Sequence, residues 1–102
     1  MIINLTPHDI NVHVNGDVKV YKSEGIVRLK TETHYMGDID GIRITSTVFG
    51  TPEGLPDFED GTYYIISQLV KSALPDRVDL LVPAELIRDD KGVIIGCNSL
   101  GI

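Results

Sequence analysis

Apolar residues recur at every second position over several short stretches of this chain, a period that belongs to β-strands. Ile2 to Leu5 is a short apolar run, Ile10-Asn11-Val12-His13-Val14 alternates, and Asn15-Gly16-Asp17 separates it from Val18-Lys19-Val20-Tyr21. Asn-Gly at such a junction accepts the positive φ of a tight hairpin turn. His13 then faces away from the Ile10, Val12 and Val14 side. Ile26 to Thr31 reads as a further strand and Gly37 to Gly41 as a polar turn. Ile42 to Phe49 is rich in β-branched residues and alternates cleanly, so it reads as another strand. The N-terminal half is therefore expected to be an antiparallel meander.

Periodicity vanishes from Gly50 to Gly61, where Pro52, Gly54 and Pro56 mix with Glu53, Asp57, Glu59 and Asp60; this predicts a long acidic surface loop. Thr62 to Ile66 reads as a buried strand. In the next segment Leu69, Val70, Ala73 and Leu74 repeat at helical spacing, with Ser67 as N-cap and Pro75 as stop. Asp79 to Val82 follows as a strand ending at Pro83, and such strand-helix-strand units are almost always parallel with a right-handed crossover. Asp89 to Gly92 is a turn before a last strand, Val93 to Cys97. The expected architecture is one α+β domain over residues 1–102, with a mixed β-sheet, an antiparallel N-terminal meander and one short β-α-β unit near the C-terminus.

Composition narrows the function classes. With 42% hydrophobic and 24% charged residues the chain is ordinary globular material, and its size predicts burial of about two thirds of the unfolded surface. The net charge of −6 and the dispersed Lys and Arg residues argue against DNA binding, which rests on neutralising phosphates. No apolar stretch approaches the length of a membrane span, and the Met-Ile-Ile-Asn start lacks the pattern of a signal peptide. A lone Cys97 excludes an internal disulfide framework, so a cytoplasmic protein without cofactor is expected. His8, His13 and His34 lack metal-ligand spacing, so no metal site is expected either.

In sheets with parallel strands, ligands favour the crevice beyond the carboxyl ends of the strands. If the first strand runs parallel to Thr62–Ile66, then Asn4, Thr6, Pro7, His8 and Asp9 leave the same sheet edge as Ser67 and Gln68, with Pro83 to Glu85 nearby. A helix N-terminus at Ser67 would suit an anion, and Thr6, His8 and Ser67 would add hydrogen bonds. The same residues also have a purely architectural reading, in which Ser67 caps, Thr6-Pro7 turns and His8 is an incidental loop residue. Paired with Asp9 or Ser67, His8 is the one weak catalytic candidate, because histidine exchanges protons near neutral pH and can activate a hydroxyl. No nucleophile elbow, phosphate-binding loop or dinucleotide fingerprint accompanies it, so the chain leans away from being an enzyme. Tyr63 and Tyr64 must face opposite sides of their strand, so one of them could meet a ligand, and Tyr64 is assigned to the candidate site. Arg77 is expected to pair with Asp76 or Asp79 at the other end of the sheet, reaching the site only across a dimer interface or through an unexpected register.

Asn4-Leu5-Thr6-Pro7-His8, Phe49-Gly50, Gly54-Leu55-Pro56, Gly61-Thr62-x-Tyr64-Ile65-x-Ser67 and Pro75-x-Arg77-x-Asp79 together resemble a small-protein family of phages, prophages and bacteria. The resemblance covers most of the chain and implies a phage or mobile-element setting, without implying a reaction. Tyr64-Ile65-Ile66-Ser67-Gln68-Leu69 and the opening strand are more distantly similar to viral anti-CRISPR ring nucleases, which bind and cleave cyclic oligoadenylate. Those proteins carry Arg after the Ser-Gln pair, where this chain has Leu69, and their catalytic His has no counterpart here.

The leading expectation is a phage-type protein that sequesters a small anionic nucleotide or cyclic nucleotide immune signal, with an anti-defense role, in a pocket of a homo-oligomer. The alternatives are a nucleotide-cleaving enzyme using His8 and a protein-protein inhibitor acting through the acidic loop from Glu53 to Asp60.

Overall fold

The computed structural model describes all 102 residues. Strands β1 (Ile2–Asn4), β2 (Ile10–Val14), β3 (Asp17–Tyr21), β4 (Arg28–Ile39), β5 (Ile42–Glu53), β6 (Tyr63–Ile65), β7 (Leu80–Arg88) and β8 (Ile94–Gly101) make the protein mostly β. Its one helix, α1, spans Gln68–Ala73. Six strands form a mixed sheet in the order β1-β6-β7-β8-β2-β3, and β4 with β5 forms a separate two-stranded ribbon. No helix is long and apolar enough to cross a membrane.

The first half is therefore two hairpins in different sheets instead of one meander. Asn15 and Gly16, with φ of 51° and 82°, close the β2–β3 hairpin in the turn the Asn-Gly pair demands. The second hairpin is longer than its sequence pattern indicates: pairing runs from Arg28↔Glu53 to Ile39↔Ile42, and the turn shrinks to Asp40-Gly41 at φ 54° and 78°. Gly50 to Glu53, expected as loop, belong to β5. The polar stretch Thr31 to His34 hides this strand from a periodicity reading because both of its faces reach water.

The C-terminal half contains the expected strand-helix-strand unit. β1 pairs in parallel with β6, and β6 in parallel with β7. Ser67 caps α1, its Oγ accepting from Val70 N at 3.3 Å, and the helix stops one residue before Leu74-Pro75. Val70 faces the sheet while Leu69 is exposed, so only part of the predicted apolar stripe is used. The core is small: Leu5, Val27, Tyr64, Ile66, Val70 and Leu80, with Ile3, Leu55 and Leu74 packed against it.

Two expectations about β7 and its surroundings change. The strand does not end at Pro83 but continues to Arg88, paired antiparallel with β8. Ile66 N donates to Leu81 O, so odd-numbered residues of β7 face β6; Pro83, two residues on, points its ring nitrogen where β6 has already finished. A missing N–H costs nothing there. The acidic segment is likewise shorter and more tied down than a free loop. Leu55 packs on the core, Pro56 O accepts from Arg77 Nη2 at 3.0 Å, and Glu53 lies 3.2 Å from Lys30 Nζ.

Candidate functional site

Three chain segments leave the carboxyl ends of β1, β6 and the parallel part of β7 and meet at one groove of about 890 Å³. Thr6, Pro7, His8 and Asp9 supply one bank, Ser67 and Gln68 another, and Val82 and Pro83 a third. The remaining wall comes from Ile10 and Asn11 at the start of β2, Leu86 of β7, and Ile94 to Cys97 of β8. The volume lies within the range typical of small-molecule sites, and the wall is mainly aliphatic with a few polar groups at its rim.

The first bank is held by Asn4, which is fully buried. Its Nδ2 donates to His8 O at 2.7 Å and to Tyr21 O at 2.8 Å, while its Oδ1 accepts from Thr6 N at 2.9 Å. The Thr6 hydroxyl lies 2.7 Å from Asn4 Oδ1 and 2.9 Å from His8 O, donating its single proton to one or the other. An Asn amide placed so that both oxygen and nitrogen are used is what lets the chain turn sharply out of β1 with its carbonyls satisfied. Asp9 Oδ1 accepts from Ser23 N at 3.0 Å, and the Ser23 hydroxyl donates to Thr6 O, so the segment after β3 clamps the loop from outside. These bonds fix the backbone of residues 6–9 and leave the His8 side chain exposed, with no protein hydrogen bond to orient the imidazole.

Thr6, Pro7, His8, Asp9, Ser67 and Gln68 come together on the groove. Asn4 lies beneath it as the organiser of the loop. Tyr64 turns the other way into the hydrophobic core at 3% exposure, and Tyr63 is the exposed member of the pair. Arg77 sits on the connection between α1 and β7, away from the groove, with Nε 2.8 Å from Asp79 Oδ1 and Nη2 2.7 Å from Asp79 Oδ2. That bidentate bond holds the Asp79 carboxyl below its ordinary range and raises the guanidinium further, against the opposing effect of burial. Arg77 thus ties Asp79 and the Pro56 carbonyl together, an architectural task at the opposite end of the sheet.

Sequence reasoning missed the β8 and β2 side of the groove: Ile10, Asn11, Ile94, Ile95, Gly96 and Cys97. These arrive through the parallel pairing of β2 with β8 at Val12↔Cys97, which joins residues far apart in the chain and has no local signal. Gly96 lets the strands approach closely there: a Cβ would stand 3.0 Å from His13 Nε2 and 3.1 Å from Asn11 O, so a larger residue would ask those groups to shift. Cys97 is buried with its thiol 3.6 Å from Asn11 O, and burial pushes its pKa up, so it is held in the unreactive thiol form.

The electrostatics of the groove are distinctive in one respect: no Lys or Arg lines it, and Asp9 does. His8, Asn11, Thr6, Ser67 and Gln68 are its only other polar side chains. Nowhere in the chain do three or more His, Cys, Asp or Glu side chains converge in the manner of a metal centre. Comparison with known proteins yields no match to a family model, a curated protein or a solved structure.

Proposed function

We propose that the chain binds a small nucleotide whose phosphate is a singly charged phosphodiester, as in a cyclic nucleotide, within the groove at the ends of β1, β6 and β7, and that it holds the ligand without cleaving it. The observation that carries this reading is the convergence of Thr6, His8, Ser67 and Gln68 on the rim of an otherwise aliphatic groove. A nucleobase suits the aliphatic wall of Ile10, Leu86 and Ile95, and hydroxyl, amide and imidazole groups at the rim suit sugar and phosphate oxygens. A nucleoside di- or triphosphate carries several charges that proteins commonly meet with Lys or Arg, and neither lines this groove; a phosphodiester asks for less. Retention is favoured over cleavage by the His8 imidazole, which has no hydrogen-bonded partner within the chain to orient it as a general base. Within the phage-like setting that the sequence motifs imply, such a protein would act by sequestering a nucleotide signal.

Calorimetry with 3′,5′-cyclic mononucleotides, cyclic dinucleotides and the matching triphosphates tests the proposal. Binding of one or more cyclic species, weakened at least tenfold in Ile95→Asp, which places a negative charge in the aliphatic wall, is the expected result. Absence of heat with every cyclic ligand at high protein concentration would sink it. Chromatography of the bound ligand after denaturation separates retention from turnover: intact ligand is expected, whereas products that vanish in His8→Ala would transfer the site to the class of nucleotide-cleaving enzymes.

A further inference from the structure

The ribbon of β4 and β5 projects from the sheet with no other element packed along it. A two-stranded ribbon on its own is marginally stable in water, so one with 12 residues in each strand needs cover. Its register sorts the side chains onto two faces. Ile39, Ile42, Ile44 and Val48 share one face, at 63%, 64%, 36% and 50% exposure. The other face carries Thr31, Thr33, Thr45 and Thr47 together with Phe49 and Tyr35, and the Arg43 guanidinium lies over the Tyr35 ring at 4.8 Å. Four threonine hydroxyls suit the second face to water, whereas the first gathers Ile39, Ile42 and Ile44 side by side at the tip of the ribbon, with Val48 beyond Ser46 and the Glu32–His34 pair at its base.

The whole molecule shows the same deficit. Its accessible surface is 7179 Å² at 11.2 kDa, where mass scaling gives about 5,700 Å² for a compact monomer, an excess of about 1,500 Å². Burial relative to the unfolded chain is accordingly about 56% in place of the two thirds expected for this size. The radius of gyration, 16.7 Å, exceeds the roughly 13 Å of a compact domain of this length. Two copies that each buried this excess would cover about 3,000 Å² in total, the area of an obligate homodimer.

We infer that the β4–β5 ribbon is a dimerisation arm whose Ile39–Ile42–Ile44–Val48 face packs on the body of a second copy of this chain. Twelve residues of strand reach about 40 Å, enough to cross a second copy, whose middle dimension with its own ribbon included is 39 Å. Charge favours this contact over others between like copies. Residues 28–53 hold three basic and four acidic side chains, so nearly all of the net charge of −6 lies elsewhere, and the arm is the surface on which two acidic copies repel least. Reciprocal exchange of arms about a two-fold axis closes the assembly at two. The inference rests on the arm and the surface deficit alone, independent of any ligand in the groove.

Sedimentation equilibrium without nucleotide tests it. The wild type is expected at twice 11.2 kDa. Ile42→Lys combined with Ile44→Lys is expected to sediment as a single chain, with a dissociation constant raised about thirtyfold or more. Thr45→Lys combined with Thr47→Lys, on the opposite face, should leave the dimer intact. If circular dichroism shows the lysine variant of the aliphatic face unfolded, Ile44→Ala with Val48→Ala replaces it, and a rise of about tenfold is expected. A single-chain mass for the wild type at 100-micromolar order, equal dissociation constants for wild type and aliphatic-face variants, or dissociation by the threonine-face variant would each overturn the assignment.

Discussion

Replacing Asn4 by Ala should destabilise the protein by about 3 kcal/mol, through the loop that forms one bank of the groove. The buried Thr6 N–H loses its partner at 2.9 Å, and a buried donor left unsatisfied costs roughly 1–3 kcal/mol. Tyr21 O loses the Nδ2 donor, adding about 1 kcal/mol for a group that water can partly reach. His8 O keeps the Thr6 hydroxyl, so its loss is small. Against a total stability of roughly 5–15 kcal/mol, this change should move the urea midpoint down by about 1.5–2 M. The assay is urea denaturation followed by far-UV circular dichroism, with amide exchange at Thr6 as a local readout.

The isosteric variant makes the reasoning sharper. Asn4→Asp keeps an acceptor for Thr6 N but turns a carboxylate toward the carbonyls of His8 and Tyr21, where two N–H bonds had been. At neutral pH it should be worse than Asn4→Ala, and acidification should narrow the gap, because a protonated carboxyl can donate to one of those carbonyls. A loss under about 1 kcal/mol for Asn4→Ala, or Asn4→Asp milder than Asn4→Ala at pH 7, would refute the proposed role of the amide.

Two further outcomes follow from the same physical reading. The Asp79 carboxyl is held below its ordinary range by Arg77, so its contribution is fully present above the unfolded carboxylate value of about 4 and is lost as pH falls through the folded value; urea titrations between pH 7 and pH 2 should show that loss, and Arg77→Met, which strands a buried carboxylate, should cost about 3–5 kcal/mol at pH 7 and progressively less in acid. Cys97 should resist a disulfide reagent in the native protein and react at the rate of unfolding in urea; rapid stoichiometric labelling without denaturant would show that the β2–β8 junction is open to solvent.

The parts of the fold written in local chemistry were legible in sequence. Asn15-Gly16 specified a hairpin turn, Ser67 and Pro75 bounded a helix, and the apolar run at Tyr64 to Ile66 marked a central strand, so the meeting of Thr6–Asp9 with Ser67 and Gln68 could be anticipated. What depended on long-range pairing could not. The β2–β8 contact that completes the groove rests on one parallel register point between residues 85 positions apart, Val12 and Cys97, and neither segment announces its partner. The arm misled for a different reason. Clean alternation from Ile42 to Phe49 ordinarily means one face is buried in the chain's own core, whereas here no other element packs along the ribbon and the strand stays exposed. An alternating pattern reports that a face needs cover without saying which molecule provides it.

The groove itself is a consequence of unequal strand lengths. β1 and β6 have three residues each, while β7 and β8 have nine and eight, so the sheet loses two strands while two others run on. Extension of β6 would fill the space, and the chain prevents it twice. Ser67 turns the residues after Ile66 into a helix, and Pro83 removes the N–H with which β7 would have paired an added strand residue. Glu85, two residues beyond Pro83, leaves the extended conformation within β7 at a φ of 49°. Thr6-Pro7 diverts the chain after β1, and the Asn4 amide holds that diversion in place. Each device is a backbone feature, indifferent to what fills the groove, which is why the shape of the site is encoded more firmly than its chemistry: side chains at Ile95, Leu86 or His8 can change without closing it, whereas loss of the Asn4 amide should remove one of its walls.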